Sequence, residues 1–326
     1  MTGRTRPGTR QRPPGPRAER RGRRNARRRR SRFAALGLAV IVAVAVAVTA
    51  VLGSRSAAPA PRAYLGLFTP PSPASYSGVS AFTAATGVKP GLVVYYSAWN
   101  EPFRREFAVA AARHHAVPLV QIDPTNIRMR AIAAGRYDAY LRSYAAAVRA
   151  YGGRVVLSFG HEMNGNWYSW GYHHSTPAAF VAAWRHIVTV FRQQGASQVT
   201  WLWTVNVIEK TQGIPSPAAW WPGRSYVTWV GIDGYYLRPG LKFAPLFGPT
   251  IKAVRALTLD PILISETAAT PAAGKPAKIA DLFAGIRAYG LLGFVWFDVD
   301  KNRDWRLAGP AAIAAFRRGA QNISTP

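Results

Sequence analysis

Short apolar runs alternate with segments of helical spacing along residues 64–320. The runs are rich in β-branched and aromatic residues, which favours strands buried on both faces. Strands are predicted at 64–68, 92–96, 118–122, 155–159, 199–204, 228–232, 262–264 and 293–297. Helices are predicted at 75–86, 103–114, 136–151, 177–194, 243–257, 277–289 and 310–319. A long loop with aromatic residues and prolines is predicted after the fifth strand, up to about Tyr226. The alternation as a whole, read as eight strand–helix pairs in about 260 residues, predicts an α/β fold, a single closed (β/α)₈ TIM barrel.

The residues before the barrel show a different pattern. Residues 1–32 hold 14 arginines and one glutamate without apolar periodicity, so we expect a disordered basic tail. Residues 33–53 are apolar and carry no charge, which is long enough for a transmembrane helix. Because the arginines precede this segment, the positive-inside rule places the tail in the cytoplasm and residues 64–326 outside the cell. Residues 54–63 are a Pro/Ala linker.

The apolar segment has a second interpretation, a cleaved signal peptide. Its length argues against this, since the apolar core of a signal peptide is usually 7–15 residues. Ala58-Pro59-Ala60 resembles a cleavage site, but the following Pro61 is unfavourable there. We therefore predict a single-pass anchor in the cell membrane with the barrel outside, or a secreted protein if the segment is cleaved.

Composition narrows the chemistry. The chain has no cysteine, which excludes disulfides, thiolate metal sites and a cysteine nucleophile. Its net charge of +28 is concentrated in the tail, yet residues 64–326 still hold 26 Lys/Arg against 13 Asp/Glu. Such a surface favours anionic neighbours, such as wall polymers or anionic glycans. A nucleic-acid role for the arginine tail is a weaker interpretation.

Two glutamates directly follow or end buried strands. Glu162 comes after the run 155–159, and Glu266 ends the run that begins at Pro261. A buried carboxylate is costly unless it is paired or wet, so both positions need a reason. The carboxyl ends of barrel strands form the active-site face. Two carboxyls there fit glycoside hydrolysis, and a retaining enzyme needs them about 5–5.5 Å apart.

The sequence His-Glu-Met-Asn-Gly at 161–165, followed by Trp167 and Trp170, resembles the acid/base signature of glycoside hydrolase family 26, most of whose members are endo-β-mannanases. The resemblance covers about residues 64–320. It implies that Glu162, after the fourth strand, is the acid/base and that Glu266, after the seventh, is the nucleophile of a retaining reaction.

The same resemblance implies the substrate-binding residues. His161 is expected to orient the catalytic pair, and Trp167 and Trp170 are expected to stack on sugars. Tyr235 is expected to hydrogen-bond the nucleophile, with the adjacent Tyr236 as the alternative. A tryptophan in the eighth strand, Trp296, is expected to floor the subsite beside the scissile bond.

Strand-end position alone adds Asn206 and Trp99 as weaker candidates. Asp298, Asp300 and Asp304 cluster after the eighth strand, but the interleaved Lys301, Arg303 and Arg306 favour an ion-pair loop over a calcium site. We predict no metal and no cofactor. No phosphate-binding glycine loop and no Gly-x-Ser-x-Gly elbow occur in the chain, so nucleotide and esterase chemistry have no support.

The sequence therefore predicts a monomeric, membrane-anchored, endo-acting β-glycan hydrolase whose first expected substrate is β-1,4-mannan. β-1,3-Xylan and mixed-linkage β-glucan stay open, because the strand end at 121–124 offers no histidine that matches the family's substrate contacts. Two other classes also stay open: a tethered glycan-binding barrel without catalysis, and a nucleic-acid or membrane-surface binder that uses the tail.

Overall fold

The computed structural model describes residues 63–322. The predicted tail, the predicted transmembrane segment 33–53 and the linker up to residue 62 lie outside the described residues. Within residues 63–322, none of the helices combines the length and the apolar character that a membrane crossing requires.

Eight parallel strands close into a barrel in which each strand pairs with its neighbours in chain order. The strands are β1 (Tyr64–Phe68), β2 (Leu92–Ala98), β3 (Val117–Asp123), β4 (Val155–Phe159), β5 (Val199–Asn206), β6 (Trp229–Asp233), β7 (Ile262–Thr267) and β8 (Gly293–Phe297). Pairing of β1 with both β2 and β8 closes the ring. The predicted TIM barrel is confirmed.

The helices surround the barrel. They are α1 (Ser77–Thr86), α2 (Arg105–Arg113), α3 (Met129–Ala133), α4 (Asp138–Tyr151), α5 (Pro177–Gln193), α6 (Phe243–Arg255), α7 (Lys275–Ala288) and α8 (Pro310–Gln321). A short hairpin, β9 (Asp300–Lys301) with β10 (Arg303–Asp304), lies between β8 and α8.

The long loop predicted after β5 is confirmed, so the count of eight strand–helix pairs is one helix too high. That connection contains 3₁₀ turns at Lys210–Gln212, Pro217–Trp220 and Arg224–Tyr226 instead of an α-helix. Proline lacks the backbone N–H and its ring clashes with the preceding turn, so the prolines at positions 215, 217 and 222 interrupt helix formation. The result is a long irregular loop at the carboxyl end of β5.

The barrel has two separate apolar layers. One cluster fills the barrel interior and is made of alternate strand residues, namely Tyr64, Leu92, Val94, Leu119, Val156, Leu202, Trp229, Leu263 and Val295. The intervening strand residues belong to a larger cluster that packs against the helices. Because side chains alternate along a strand, this pattern also fixes which residue at each strand end faces the axis.

A β-bulge interrupts this alternation in β7. Gly231 and Asp233 of β6 pair with Leu263 and Glu266 of β7, so the single residue between the first two lies opposite two residues of β7. The same irregularity occurs against β8. A bulge re-aims side chains, and here Ser265 and Glu266 both contact residues at the barrel axis.

Candidate active site

Glu162 lies just beyond β4 on a backbone that bends sharply. Gly160 and Glu162 have φ angles of 54° and 53°, the left-handed region that a glutamate rarely adopts. A Cβ on Gly160 would come within 3.0 Å of Phe180 and 3.2 Å of Trp170. The Glu162 N–H donates to the Thr204 carbonyl at 3.0 Å, which anchors the bend to β5. The bend turns the glutamate over the mouth of the barrel.

Two donors hold the Glu162 carboxyl. The indole N–H of Trp167 donates to Oε2 at 2.8 Å, and the side-chain amide of Asn206 donates to Oε1. Asn206 is itself fixed, because its backbone N–H and carbonyl bond the side chain of Asn164 at 2.8 and 2.9 Å. The asparagine of the His-Glu-Met-Asn-Gly sequence therefore positions a partner of the glutamate. Burial, and then the charge of Glu266, raise the pKa of Glu162.

Glu266 accepts hydrogen bonds from two tyrosine hydroxyls, Tyr235 on one oxygen and Tyr96 on the other. The structure thus brings the predicted Tyr235 to Glu266. It also decides the alternative, since the hydroxyl of Tyr236 donates instead to Asp281 at 3.2 Å on the helix side. Sequence reasoning missed Tyr96. Its signal was the alternation Leu92, Val94, Tyr96, which places it on the inward face of β2.

His161 is buried beside the two glutamates, where only 3% of its side chain is exposed. Its Nδ1 lies 3.1 Å from Oδ1 of Asp123, and its Nε2 lies 3.1 Å from the Tyr168 hydroxyl. Burial lowers the pKa of His161, but the nearby carboxylates, with Asp123 foremost, raise it more, to about 10. The acidic side chains around the imidazole therefore favour its protonated form.

Asp233, at the end of β6, is a third buried carboxyl that sequence reasoning missed. It is fully buried, it accepts a hydrogen bond from Ser265 at 2.6 Å, and its Oδ2 has no partner among the described residues. Burial, and then the charges of Glu266 and Glu162, raise its pKa well above the usual range. The strand-end rule that selected the two glutamates applies equally to this residue.

The tryptophans divide into exposed and buried. Trp167 is 44% exposed beside Glu162, as a sugar platform requires. Trp170 is only 1% exposed, stacks on Tyr168 with ring centroids 4.3 Å apart, and donates its indole N–H to the His161 carbonyl at 2.8 Å. The expectation that Trp170 stacks on a sugar is therefore wrong, since its ring supports the loop from within.

The expectation for Trp296 is also wrong. It is 1% exposed and packs against Phe316 of α8, because it belongs to the outward-facing residues of β8. The next residue, Phe297, faces the other way and contacts Phe68 and Tyr235 at ring-centroid distances of 5.0 and 6.0 Å. Trp305, after the β9–β10 hairpin, packs on Tyr235 at 4.7 Å.

Comparison with known proteins shows what the barrel is similar to. Residues 149–303 match the model of glycosyl hydrolase family 26. Over these residues the barrel resembles a family 26 domain. The chain is also 31% identical over 260 residues, 74% of its length, to Endoglucanase H from Acetivibrio thermocellus, and it spans 29% of that relative.

Two solved structures have the same fold as this barrel. A modular endo-β-1,4-mannanase from Cellulomonas fimi superposes with a TM-score of 0.65 at 15% identity, over 81% of this chain and 72% of that one. The catalytic domain of a family 26 endo-β-1,4-mannanase from Bacillus sp. JAMB-750 gives a TM-score of 0.63 at 14% identity, over 81% of this chain and 87% of that one.

A cleft of about 380 Å³ opens beside the hydrogen-bond partners of Glu162 and Glu266. Trp167, Asn206 and Tyr235 line its inner end, and the loops after β5 and β6 form its walls. The irregular loop that replaces a helix after β5 therefore shapes one wall. The cleft thus begins at partners of both glutamates.

The other residues predicted from the sequence, the acidic cluster after β8 and Trp99, have partners other than the two glutamates. Arg306 forms ion pairs with Asp300 at 3.1 Å and with Asp304 at 2.8 Å, and Asp298 accepts the Leu307 backbone N–H. Trp99 is buried against Tyr137 and Tyr140. Within residues 63–322, no three histidine or acidic side chains are grouped as a metal site requires.

Proposed function

We propose that the domain is an endo-acting, retaining glycoside hydrolase that cleaves a β-linked polysaccharide, with β-1,4-mannan as the first expected substrate. The observation that carries this proposal is the unequal setting of the two glutamates. Glu162 is buried with a raised pKa, while Glu266 is held between two hydroxyl donors. Pairs of carboxyls in different environments are the usual basis for dividing acid and nucleophile roles.

The proposed reaction begins when the Glu266 carboxylate attacks the anomeric carbon of the sugar. The raised pKa of Glu162 favours its protonated form. Glu162 gives this proton to the glycosidic oxygen, and the bond between that oxygen and the anomeric carbon breaks. A covalent glycosyl ester of Glu266 forms. The Glu162 carboxylate then takes a proton from water, the resulting hydroxide attacks the anomeric carbon, and the ester breaks.

The neighbouring residues serve this reaction in definite ways. The hydroxyls of Tyr235 and Tyr96 favour the ionised form of Glu266 and fix its direction of attack. Trp167 and Asn206 fix the direction from which Glu162 delivers its proton. The exposed face of Trp167 gives the leaving sugar a stacking surface.

Support for the mannan substrate comes from the endo-β-1,4-mannanases whose fold the domain shares. A relative with 31% sequence identity is named an endoglucanase, so a mixed-linkage β-glucan is the second candidate. β-1,3-Xylan is a third candidate.

A panel of the three polysaccharides tests the proposal. The full chain in mild detergent is assayed for released oligosaccharides, beside Glu162→Ala and Glu266→Ala. We expect one polymer to be cleaved by the parent protein and by neither variant. Binding without release by all three proteins would instead support the non-catalytic glycan-binding alternative.

We also propose that residues 33–53 anchor the domain in the cell membrane, with residues 64–326 outside. The support is the uncharged apolar run and the arginines before it. Extraction of cell membranes at alkaline pH, followed by detection of the barrel, tests this. Retention in the pellet is expected; release of the protein into the medium, shortened at its N-terminus, would show cleavage.

A further inference from the structure

Burial opposes a positive charge on the His161 ring. Acidic neighbours have to stabilise that charge. Its ring faces Tyr96 from β2, with centroids 5.7 Å apart, and Tyr168 and Trp170 from its own loop. The acids around it are Asp123 from β3, Glu162 beside it in the chain, and Asp233 from β6.

Of these acids, Asp123 is the one in direct contact, with Oδ1 3.1 Å from Nδ1. The contact is an ion pair rather than a well-aligned hydrogen bond, and neither atom has another partner among the described residues. A carboxylate at this site can only accept, so Nδ1 carries a proton. The other ring nitrogen, Nε2, lies 3.1 Å from the Tyr168 hydroxyl, whose oxygen can accept a hydrogen bond from a protonated Nε2.

We propose that Asp123 is a positioning residue that keeps the His161 imidazole doubly protonated and oriented, so that a fixed cation lies beside Glu162 and Asp233. Asp123 acts through His161 and need not touch the substrate. Its role rests on the proposed function as far as the effect on catalysis is concerned. The charge state of His161 is independent of that function.

The cation has a clear electrostatic purpose. Glu162, Glu266 and Asp233 share one buried site, where like charges destabilise one another. A cation on His161 favours the ionised forms of Glu162 and Asp233. It also stops the rise in the pKa of Glu162 from going further, since His161 lowers that pKa.

The variant Asp123→Asn tests this proposal because it keeps the shape and removes the charge. Without the carboxylate, burial dominates and the pKa of His161 falls, so the ring becomes neutral near pH 7. Glu162 then loses a neighbouring cation, and its pKa rises. We expect the alkaline limb of the kcat/KM profile, which reports the acid, to move to higher pH by about one unit.

A matched control exists elsewhere in the fold. Asp138 of α4 contacts His186 of α5 at 2.6 Å, on two of the helices that surround the barrel. Asp138→Asn removes a similar acid–histidine pair and should leave the pH profile unchanged. Asp123→Glu should restore much of the parent profile because it returns the charge.

The decisive readout is the protonation of His161, followed by ¹⁵N NMR of the histidine ring in the full chain. The signal is assigned by its loss in His161→Gln. We expect both ring nitrogens to be protonated at pH 8 in the parent protein and in Asp138→Asn, and a neutral ring in Asp123→Asn. A neutral His161 in the parent protein, or a ring that stays protonated in Asp123→Asn, would overturn the proposal. Failure of the glycan assay alone would not affect this result.

Discussion

Tyr96 at the end of β2 donates its hydroxyl to Glu266 at the end of β7, although 170 residues separate them in the chain. Strands β1 and β8 lie between these two strands in the barrel. The bond therefore reaches across the mouth of the barrel, opposite the bond from Tyr235. Glu266 is held from two sides, and its carboxylate has little freedom to rotate.

Replacement of Tyr96 tests the value of this bond. Hydrogen bonds to charged groups contribute about 1.5–3 kcal/mol, so we expect Tyr96→Phe to lower kcat/KM by about 10- to 150-fold. Tyr95→Phe is the control, because Tyr95 faces the helices and its hydroxyl accepts the Arg104 backbone N–H at 3.3 Å. Equal kinetic losses in the two variants would contradict this assignment.

The fold was predictable from the sequence because a closed barrel leaves a clear signal. Each strand of β1–β8 is buried on both faces, so it appears as an apolar run at the predicted place. The loop after β5 was also predictable, since the prolines at 215, 217 and 222 prevent a helix there.

The site was predictable only in part. Glu162 and its indole partner Trp167 lie in one short signature, so both could be located from local sequence. Asp123, Tyr96 and Asp233 come from three separate strands, and only the barrel closure brings them to the glutamates. The errors at Trp170 and Trp296 have a common cause, because spacing along the chain does not reveal which side of a loop or strand a ring faces.

The contrast between Trp167 and Trp170 is directly testable. Trp167→Ala removes an exposed ring and a hydrogen bond to Glu162, so kcat/KM should fall by tenfold or more while the melting temperature changes little. Trp170→Ala leaves a cavity in the loop support and should destabilise the fold by about 3–5 kcal/mol. Thermal unfolding measured beside the kinetics separates them; a stable Trp170→Ala protein with lost substrate binding would restore the sugar-platform role.

The eighth strand offers a matched pair of neighbours. Phe297→Ala alters a ring that contacts Tyr235, so we expect a clear loss of kcat/KM. Trp296→Ala opens a cavity against Phe316 and should lower the free energy of unfolding by about 3–5 kcal/mol. The measurement is a urea titration of both variants together with the oligosaccharide-release assay. A larger activity loss per folded molecule for Trp296→Ala would show that the inward and outward assignments are reversed.

Asp233 gives a prediction for stability against pH. Burial, and then the charges of Glu266 and Glu162, raise its pKa, so the folded protein keeps this proton at pH values where the unfolded chain has lost it. Stability from this group is present below the unfolded pKa and is lost as the pH rises. Asp233→Asn removes this dependence on pH. The free energy of unfolding of the variant should therefore rise relative to that of the parent protein, by up to about 1.4 kcal/mol per pH unit above pH 4.

Unfolding curves at pH 5, 6.5 and 8 measure this gain. Asp300→Asn, in the exposed hairpin, is the control and should show a constant difference from the parent protein. A constant difference for Asp233→Asn as well would mean that the buried carboxyl titrates normally.

The central claim is that Glu266 forms a covalent glycosyl ester that Glu162 then resolves with water. Two successive inversions return the β configuration at the anomeric carbon. The most direct test is ¹H NMR of the first product released from the cleaved polysaccharide, recorded before mutarotation. We predict that the β anomer forms first and that the α anomer grows only later. Initial release of the α anomer would show single displacement by water and would contradict the nucleophilic role of Glu266.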